Sequence, residues 1–131
     1  MAASYAMYQE QILEHYKKPR HRGPLEGATH EARESNPLCG DDLTLRLRVE
    51  GSGRIEEARF EGQGCAISLA SADMLAERIV GKGVGEAEVV SPRDVQAMLG
   101  IPLSAVREKC AVLALDVLRQ ALRRKAPGSG T

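Results

Sequence analysis

The sequence predicts an α+β fold in which a small antiparallel sheet of about three strands carries its helices on one face. Three observations lead there. Hydrophobic residues recur with a period of two between Leu43 and Glu61, helical stripes dominate the chain after Cys65, and the strand-like stretches precede most of the helices. Strands alternating with helices would favour a parallel sheet; this segregation favours an antiparallel one. At 131 residues the chain is sized for one domain with a real core. We read that domain as residues 1–126 and expect 127–131, Pro-Gly-Ser-Gly-Thr, to be a flexible tail.

The first helix is marked by Tyr5, Tyr8, Ile12, Leu13 and Tyr16, spaced by three and four residues. Pro19 ends it, and Lys17, Lys18, Arg20, His21 and Arg22 form a basic exit that reads as a solvated helix end. The weakly patterned stretch up to Ser35 is expected to hold an irregular edge strand. Leu43, Leu45, Leu47 and Val49 then alternate with Thr44, Arg46, Arg48 and Glu50, a strand with one wet face. Gly51-Ser52-Gly53 turns the chain into a second strand from Ile55 to Glu61, with Ala58 and Phe60 inward and Glu57, Arg59 and Glu61 outward. Gly62-Gln63-Gly64 breaks that strand. A helical stripe follows at Ile67, Ala70, Ser71, Met74, Leu75 and Arg78 and closes at Gly81-Lys82-Gly83. Ser91-Pro92-Arg93-Asp94 is a helix start, with a hydroxyl cap, proline in the first turn and an acid behind it. Gly100 and Pro102 stop this helix. A last helix runs from about Ser104 to Arg124, with Val106, Cys110, Leu113, Ala114, Val117 and Ala121 on one face.

Composition excludes several function classes. Eighteen basic and 18 acidic side chains cancel, so there is no broad cationic face for a nucleic-acid backbone. The longest apolar run, Ala111 to Leu115, falls far short of the roughly 20 residues that span a bilayer. Met1 to Ala6 lack the basic head and apolar core of a secretory signal, so a cytoplasmic location without a membrane partner is expected. The three cysteines, an odd number, read as thiols in a reducing compartment and not as a disulfide framework.

Those cysteines sit in distinct contexts. Cys39 lies in Asn36-Pro37-Leu38-Cys39-Gly40-Asp41-Asp42, where proline and glycine place it on a turn. Asp41, two residues on, can aim its carboxylate at whatever the sulfur binds; an Asx turn is the alternative. Cys65 follows Gly62-Gln63-Gly64 at a strand-to-helix junction, where the helix dipole favours a thiolate and the glycines admit close approach of other atoms. Its bland reading is a small buried helix-capping residue. Cys110 falls on the apolar stripe of the last helix, where core packing is the local default. Arg107 and Lys109 flank it, and cations there can lower a thiol pKa or steady an incoming anionic sulfur species. Three thiolates and a carboxylate suit tetrahedral zinc, or an iron–sulfur cluster held less firmly than by four cysteines.

Asn36-Pro37-Leu38-Cys39-Gly40-Asp41, Gly62-Gln63-Gly64-Cys65-Ala66-Ile67-Ser68 and Arg107-Glu108-Lys109-Cys110 resemble the IscU/SufU family, which includes the N-terminal domain of NifU. His15-Tyr16-Lys17-Lys18-Pro19-Arg20 with Gly23 resembles that family's first-helix signature, and the likeness runs from about Tyr8 to Arg124. It implies a three-stranded antiparallel sheet with the cysteines converging at one end. It implies sulfur transfer from a cysteine desulfurase and onward delivery to an iron–sulfur carrier or apo-protein. In IscU-type members the site holds a transient [2Fe–2S] cluster; in SufU-type members it holds zinc, and sulfur is accepted as a persulfide. The ligands carried over by motif are Cys39, Asp41, Cys65 and Cys110, with Cys39 freed to take sulfur in the zinc scheme. Lys109 stands where IscU-type members have histidine, and Lys109, Arg107 and the Cys65 motif match the SufU pattern. The usual SufU insertion between the second and third cysteines does not fit the short spacing here. The Leu-Pro-Pro-Val-Lys chaperone motif of many IscU proteins is absent from Ile101 to Val106, so the resemblance does not carry an Hsp70-type partner over.

The leading reading is thus a SufU-like sulfur acceptor, with an IscU-type scaffold as the alternative on the same residues. A structural zinc module that only binds a partner protein is a reading of another class, separated by the absence of sulfur transfer. A thiol enzyme with its own small-molecule substrate would want a cysteine–histidine pair. His15, His21 and His30 all lie in the N-terminal quarter, remote from the cysteines in sequence, and read as surface or core histidines.

Overall fold

A computed structural model of the chain describes residues 2–36 and 40–124, with side chains from residue 9 onward. Helix α1 spans Ala2–Lys17 and leads into strands β1 (His30–Asn36), β2 (Asp41–Val49) and β3 (Ile55–Gln63). These pair antiparallel in the order β1-β2-β3. Helices α2 (Ala66–Ile79), α3 (Val84–Glu88), α4 (Pro92–Leu99) and α5 (Ala105–Arg123) complete the chain.

The alternation in β2 sorts its two faces as the sequence demands. Asp41, Leu43, Leu45 and Leu47 are buried, while Asp42, Thr44, Arg46 and Arg48 lie on the other face. In β3 the buried residues are Ile55, Ala58 and Phe60. The three-residue step from Ile55 to Ala58 follows from a register shift between Arg48 and Val49, where Ile55 pairs with Val49. The edge strand β1 is regular, paired with β2 from His30↔Leu47 to Asn36↔Asp41. Its irregular look in sequence comes from being apolar at only one inward position, Ala32.

Helices α2 and α5 pack on the apolar face, α5 over β1 and β2 and α2 over β3, and α1 packs outside α2. The opposite face is laced with ion pairs. Arg46 on β2 reaches Glu31 on β1 (2.7 Å) and Glu61 on β3, and Arg48 reaches Glu56 (2.7 Å). Such half-exposed pairs contribute up to about 1 kcal/mol each, and they keep that face wetted. The outer edge of β3 is covered by the chain leaving α1: the Phe60 N–H donates to His21 O (2.8 Å), and the Gly23 N–H donates to Phe60 O (2.9 Å).

That exit segment is pinned by a buried acid. Asp73 on α2 is fully buried and accepts from His15 Nδ1 (2.6 Å) and from the main-chain N–H groups of Arg20 (2.9 Å) and His21 (2.8 Å). The His15 ring is thus engaged by Asp73, and the His21 ring lies against the Ala58 carbonyl oxygen (3.2 Å).

The helix signals behave as expected at α4. Ser91 accepts from the Asp94 N–H while Asp94 accepts from the Ser91 N–H, and Gly100 closes the helix at φ 71°. The short α3 is absent from the sequence reading, since its buried contribution is a single residue, Ala87. Three stripe residues differ from expectation. Val106 is 57% exposed, because it stands in the first turn of α5, ahead of the point where the helix meets the core at Cys110. Leu13 and Tyr16 are 45% and 40% exposed, leaving Ile12 as the inward residue of the described stripe. Tyr5 and Tyr8, and the tail at 127–131, lie outside the described side chains. Among the described residues no helix is long and apolar enough to cross a membrane.

Candidate metal centre

The site is made where the chain turns from β3 into α2 across the first residue of β2. Two glycines permit that crossing. A Cβ on Gly62, whose φ is +133°, would stand 1.9 Å from the Asp42 carbonyl oxygen. A Cβ on Gly64 would stand 2.4 Å from Ser68 Oγ and 2.7 Å from Asp41 Oδ1. Only glycine fits either position, which brings the start of α2 against the start of β2.

Asp41 joins the two. Its carboxylate is buried at 1% exposure, and Oδ1 accepts from the Cys65 N–H at 3.0 Å. Among the described residues Oδ2, also buried, has no hydrogen-bond partner. A buried acceptor left so costs about 1–3 kcal/mol, and it asks for a cation. Cys65 stands at the N-cap of α2 without a regular cap hydrogen bond, half-buried, with Sγ 3.7 Å from Ser68 Oγ. Cys110, 1% exposed, arrives from the second turn of α5. One carboxylate oxygen and the two sulfurs of Asp41, Cys65 and Cys110 lie within 4.8 Å of one another.

These atoms fit a metal ion. Two thiols and a carboxylate this close can share one ion at the roughly 2.0–2.3 Å bonds of zinc after small side-chain shifts. Oδ2, without a partner among the described residues, is an acceptor that such an ion would satisfy. Electrostatics agree: burial pushes the Cys65 thiol up, but hydrogen bonds from the Ser68 main chain and hydroxyl and from the Cys110 thiol outweigh it, and the net shift is down from the usual thiol value despite the Asp41 charge.

Of the residues expected from sequence, the structure brings Asp41, Cys65 and Cys110 together. Cys39, between Asn36 and Gly40, lies outside the described residues. Arg107 and Lys109 are exposed on the early turns of α5, Arg107 donating its main-chain N–H to the Ser104 cap at 3.3 Å. Sequence reasoning missed Ser68 and Asp73. Asp73 had a legible signal, an acid inside the otherwise small and apolar run from Leu69 to Ala76. Ser68 closes the Gly62–Ser68 motif that resembles the family, but nothing in that motif marks it as a neighbour of the Cys65 sulfur.

Comparisons with known proteins agree with this arrangement. The family model described as the NifU-like N-terminal domain matches residues 7–126. The zinc-dependent sulfurtransferase SufU of Bacillus subtilis is 31% identical over 140 residues, with 94% of each chain covered. That alignment is longer than the chain itself, so the relative carries residues with no counterpart here. The iron–sulfur cluster assembly scaffold protein IscU of Thermotoga maritima is 38% identical, covering 90% of this chain and 94% of the relative. Among solved structures, one described as an iron–sulfur cluster assembly scaffold protein for the SUF system from Fervidobacterium islandicum AW-1 superposes with a TM-score of 0.75 at 30% identity, covering 91% of this chain and 98% of that one. Fold, thiol–carboxylate cluster and relatives converge: the chain belongs to the NifU-like N-terminal domain family of iron–sulfur cluster assembly proteins.

Proposed function

We propose that this protein accepts sulfur from a cysteine desulfurase at a zinc site of Cys39, Asp41, Cys65 and Cys110 and passes it to an iron–sulfur carrier or apo-protein. The observation that carries the reading is the cluster of two thiols with a buried carboxylate whose second oxygen is unpaired among the described residues. Zinc bound there would hold thiolates at neutral pH without redox chemistry of its own. Asp41 fixes the Cys65 main chain and offers Oδ2, while Cys65 and Cys110 supply soft donors on two rigid helices.

Sulfur transfer needs no external oxidant. The Cys39 thiolate attacks the terminal sulfur of a desulfurase persulfide; the S–S bond breaks and the desulfurase cysteine leaves as a thiolate. The new persulfide then resides on Cys39. Arg107 and Lys109 would steady the anionic sulfur on arrival. The reading places the protein in the reducing cytoplasm, with residues 1–126 acting as one domain.

An IscU-type scaffold for a transient [2Fe–2S] cluster on the same residues is the second reading, favoured by the 38% identity to IscU of Thermotoga maritima. Elemental analysis and an absorption spectrum of anaerobically purified protein separate them. Colourless protein with one zinc supports the acceptor, and brown, iron-containing protein the scaffold. If Cys39→Ala leaves both metal content and sulfur acceptance intact, the acceptor reading is wrong.

A further inference from the structure

Ser68 is fully buried beside the metal-binding cluster and belongs to none of the motifs' ligand positions. It occupies the third residue of α2, and its Oγ donates to the Cys65 carbonyl at 3.0 Å while lying 3.7 Å from Cys65 Sγ. The same oxygen is the atom a Cβ on Gly64 would strike at 2.4 Å, so it forms the inner wall of the site together with Asp41 Oδ1. A serine hydroxyl has one proton and rotates freely about its C–O bond. Between a carbonyl and a sulfur it can serve either.

We propose that Ser68 is a positioning residue for Cys65: its hydroxyl turns from the Cys65 carbonyl to the Cys65 sulfur once that sulfur is a metal-bound thiolate. The hydrogen bond fixes the sulfur toward Asp41 and Cys110 and draws charge from it, so Cys65 stays a ligand and does not act as a nucleophile. Groups that orient ligands in this way tune affinity nearly as strongly as the ligands do. The result is a division of labour within the site: one thiolate is immobilised by the fold, and sulfur chemistry falls to another.

Ser71 provides the control. It lies one turn further along α2, equally buried, and its Oγ has no hydrogen-bond partner among the described residues. Zinc affinity measured by competition with a chromophoric chelator is expected to fall about tenfold or more in Ser68→Ala and to stay at the native value in Ser71→Ala. Cadmium-113 NMR of the native chain gives a readout that packing alone would not produce. Scalar coupling between the bound cadmium and a Ser68 proton is expected, transmitted through the hydrogen bond and the Cys65 sulfur. Native affinity in Ser68→Ala, an equal loss in Ser71→Ala, or absence of the coupling would each overturn the proposal. The inference rests on the metal reading above, and the failures are distinct. A native chain that binds neither zinc nor cadmium sinks that reading, whereas normal binding insensitive to Ser68 sinks this one alone.

Discussion

Replacing Asp73 by alanine tests whether the exit of α1 is held by one buried carboxylate. Asp73 has no exposure and accepts three hydrogen bonds, from His15 Nδ1 and from the main-chain N–H groups of Arg20 and His21. Alanine strands all three donors. The two amides lie in a segment clamped between α2 and β3, where the neighbouring pairs Phe60 N–H to His21 O and Gly23 N–H to Phe60 O limit its freedom to reach water. An unsatisfied buried donor costs about 1–3 kcal/mol. The imidazole of His15 is 12% exposed and can recover a water, so it adds less. The expected loss is about 3–5 kcal/mol, a large share of the 5–15 kcal/mol by which domains are typically stable. Asp73→Asn keeps one carbonyl oxygen for the amides and should lose about half as much. Urea unfolding followed by circular dichroism measures both, with an unchanged m-value showing that the denatured state is unaltered. Hydrogen exchange should show Arg20 and His21 amides losing protection first. A loss below about 1 kcal/mol in Asp73→Ala would refute the account of the exit segment.

Gly64→Ala should cost about 1–3 kcal/mol through the clash with Ser68 Oγ and Asp41 Oδ1 and weaken zinc binding, read by calorimetry; native affinity would show that the wall of the site yields freely. Ser91→Ala removes the cap of α4 and should cost about 1 kcal/mol, measured by thermal unfolding. Asp94 in the same capping box is held below its usual carboxylate value, first by the Ser91 main chain and hydroxyl, against the opposing effect of burial, with lesser help from Arg78 and Arg93. A depressed carboxylate stabilises the fold at pH above its unfolded value and loses that contribution as pH falls through its folded value. The native chain should therefore lose that contribution as pH falls below the ordinary carboxylate range, and Asp94→Asn should flatten that part of the profile. Finally, Asp41→Ala should both weaken zinc binding and raise the exchange rate of the Cys65 amide, seen by NMR, because one carboxylate both accepts from that amide and stands in the cluster.

The sheet was legible in sequence because β2 alternates strictly over Leu43, Leu45 and Leu47, and a period of two has one structural meaning. The capping box of α4 was legible for the same reason, being a local arrangement of Ser91 and Asp94. What escaped is long-range. Asp73 meets partners more than fifty residues away, and no local pattern shows which donors a buried acid will find. Cys110 reads locally as core packing, and only the family resemblance assigns it to the site; it is buried, and its meeting with Asp41 and Cys65 depends on α5 lying across the sheet. The glycines before Cys65 were read as permitting close approach. The approaching atoms turned out to belong to the chain itself, the carbonyl of Asp42 and the carboxylate of Asp41.

One carboxylate splints the β3–α2 junction through Oδ1 and brings a carboxylate oxygen within 4.8 Å of the Cys65 and Cys110 sulfurs. This dual use constrains evolution and redesign alike. A cysteine at position 41 would complete an all-thiolate cage, but its single sulfur cannot also receive the Cys65 amide as a carboxylate does. Tighter ligation would therefore come at the expense of the junction that builds the site. The architecture thus favours a mixed, more exchangeable grip, which suits a protein whose cargo must move on.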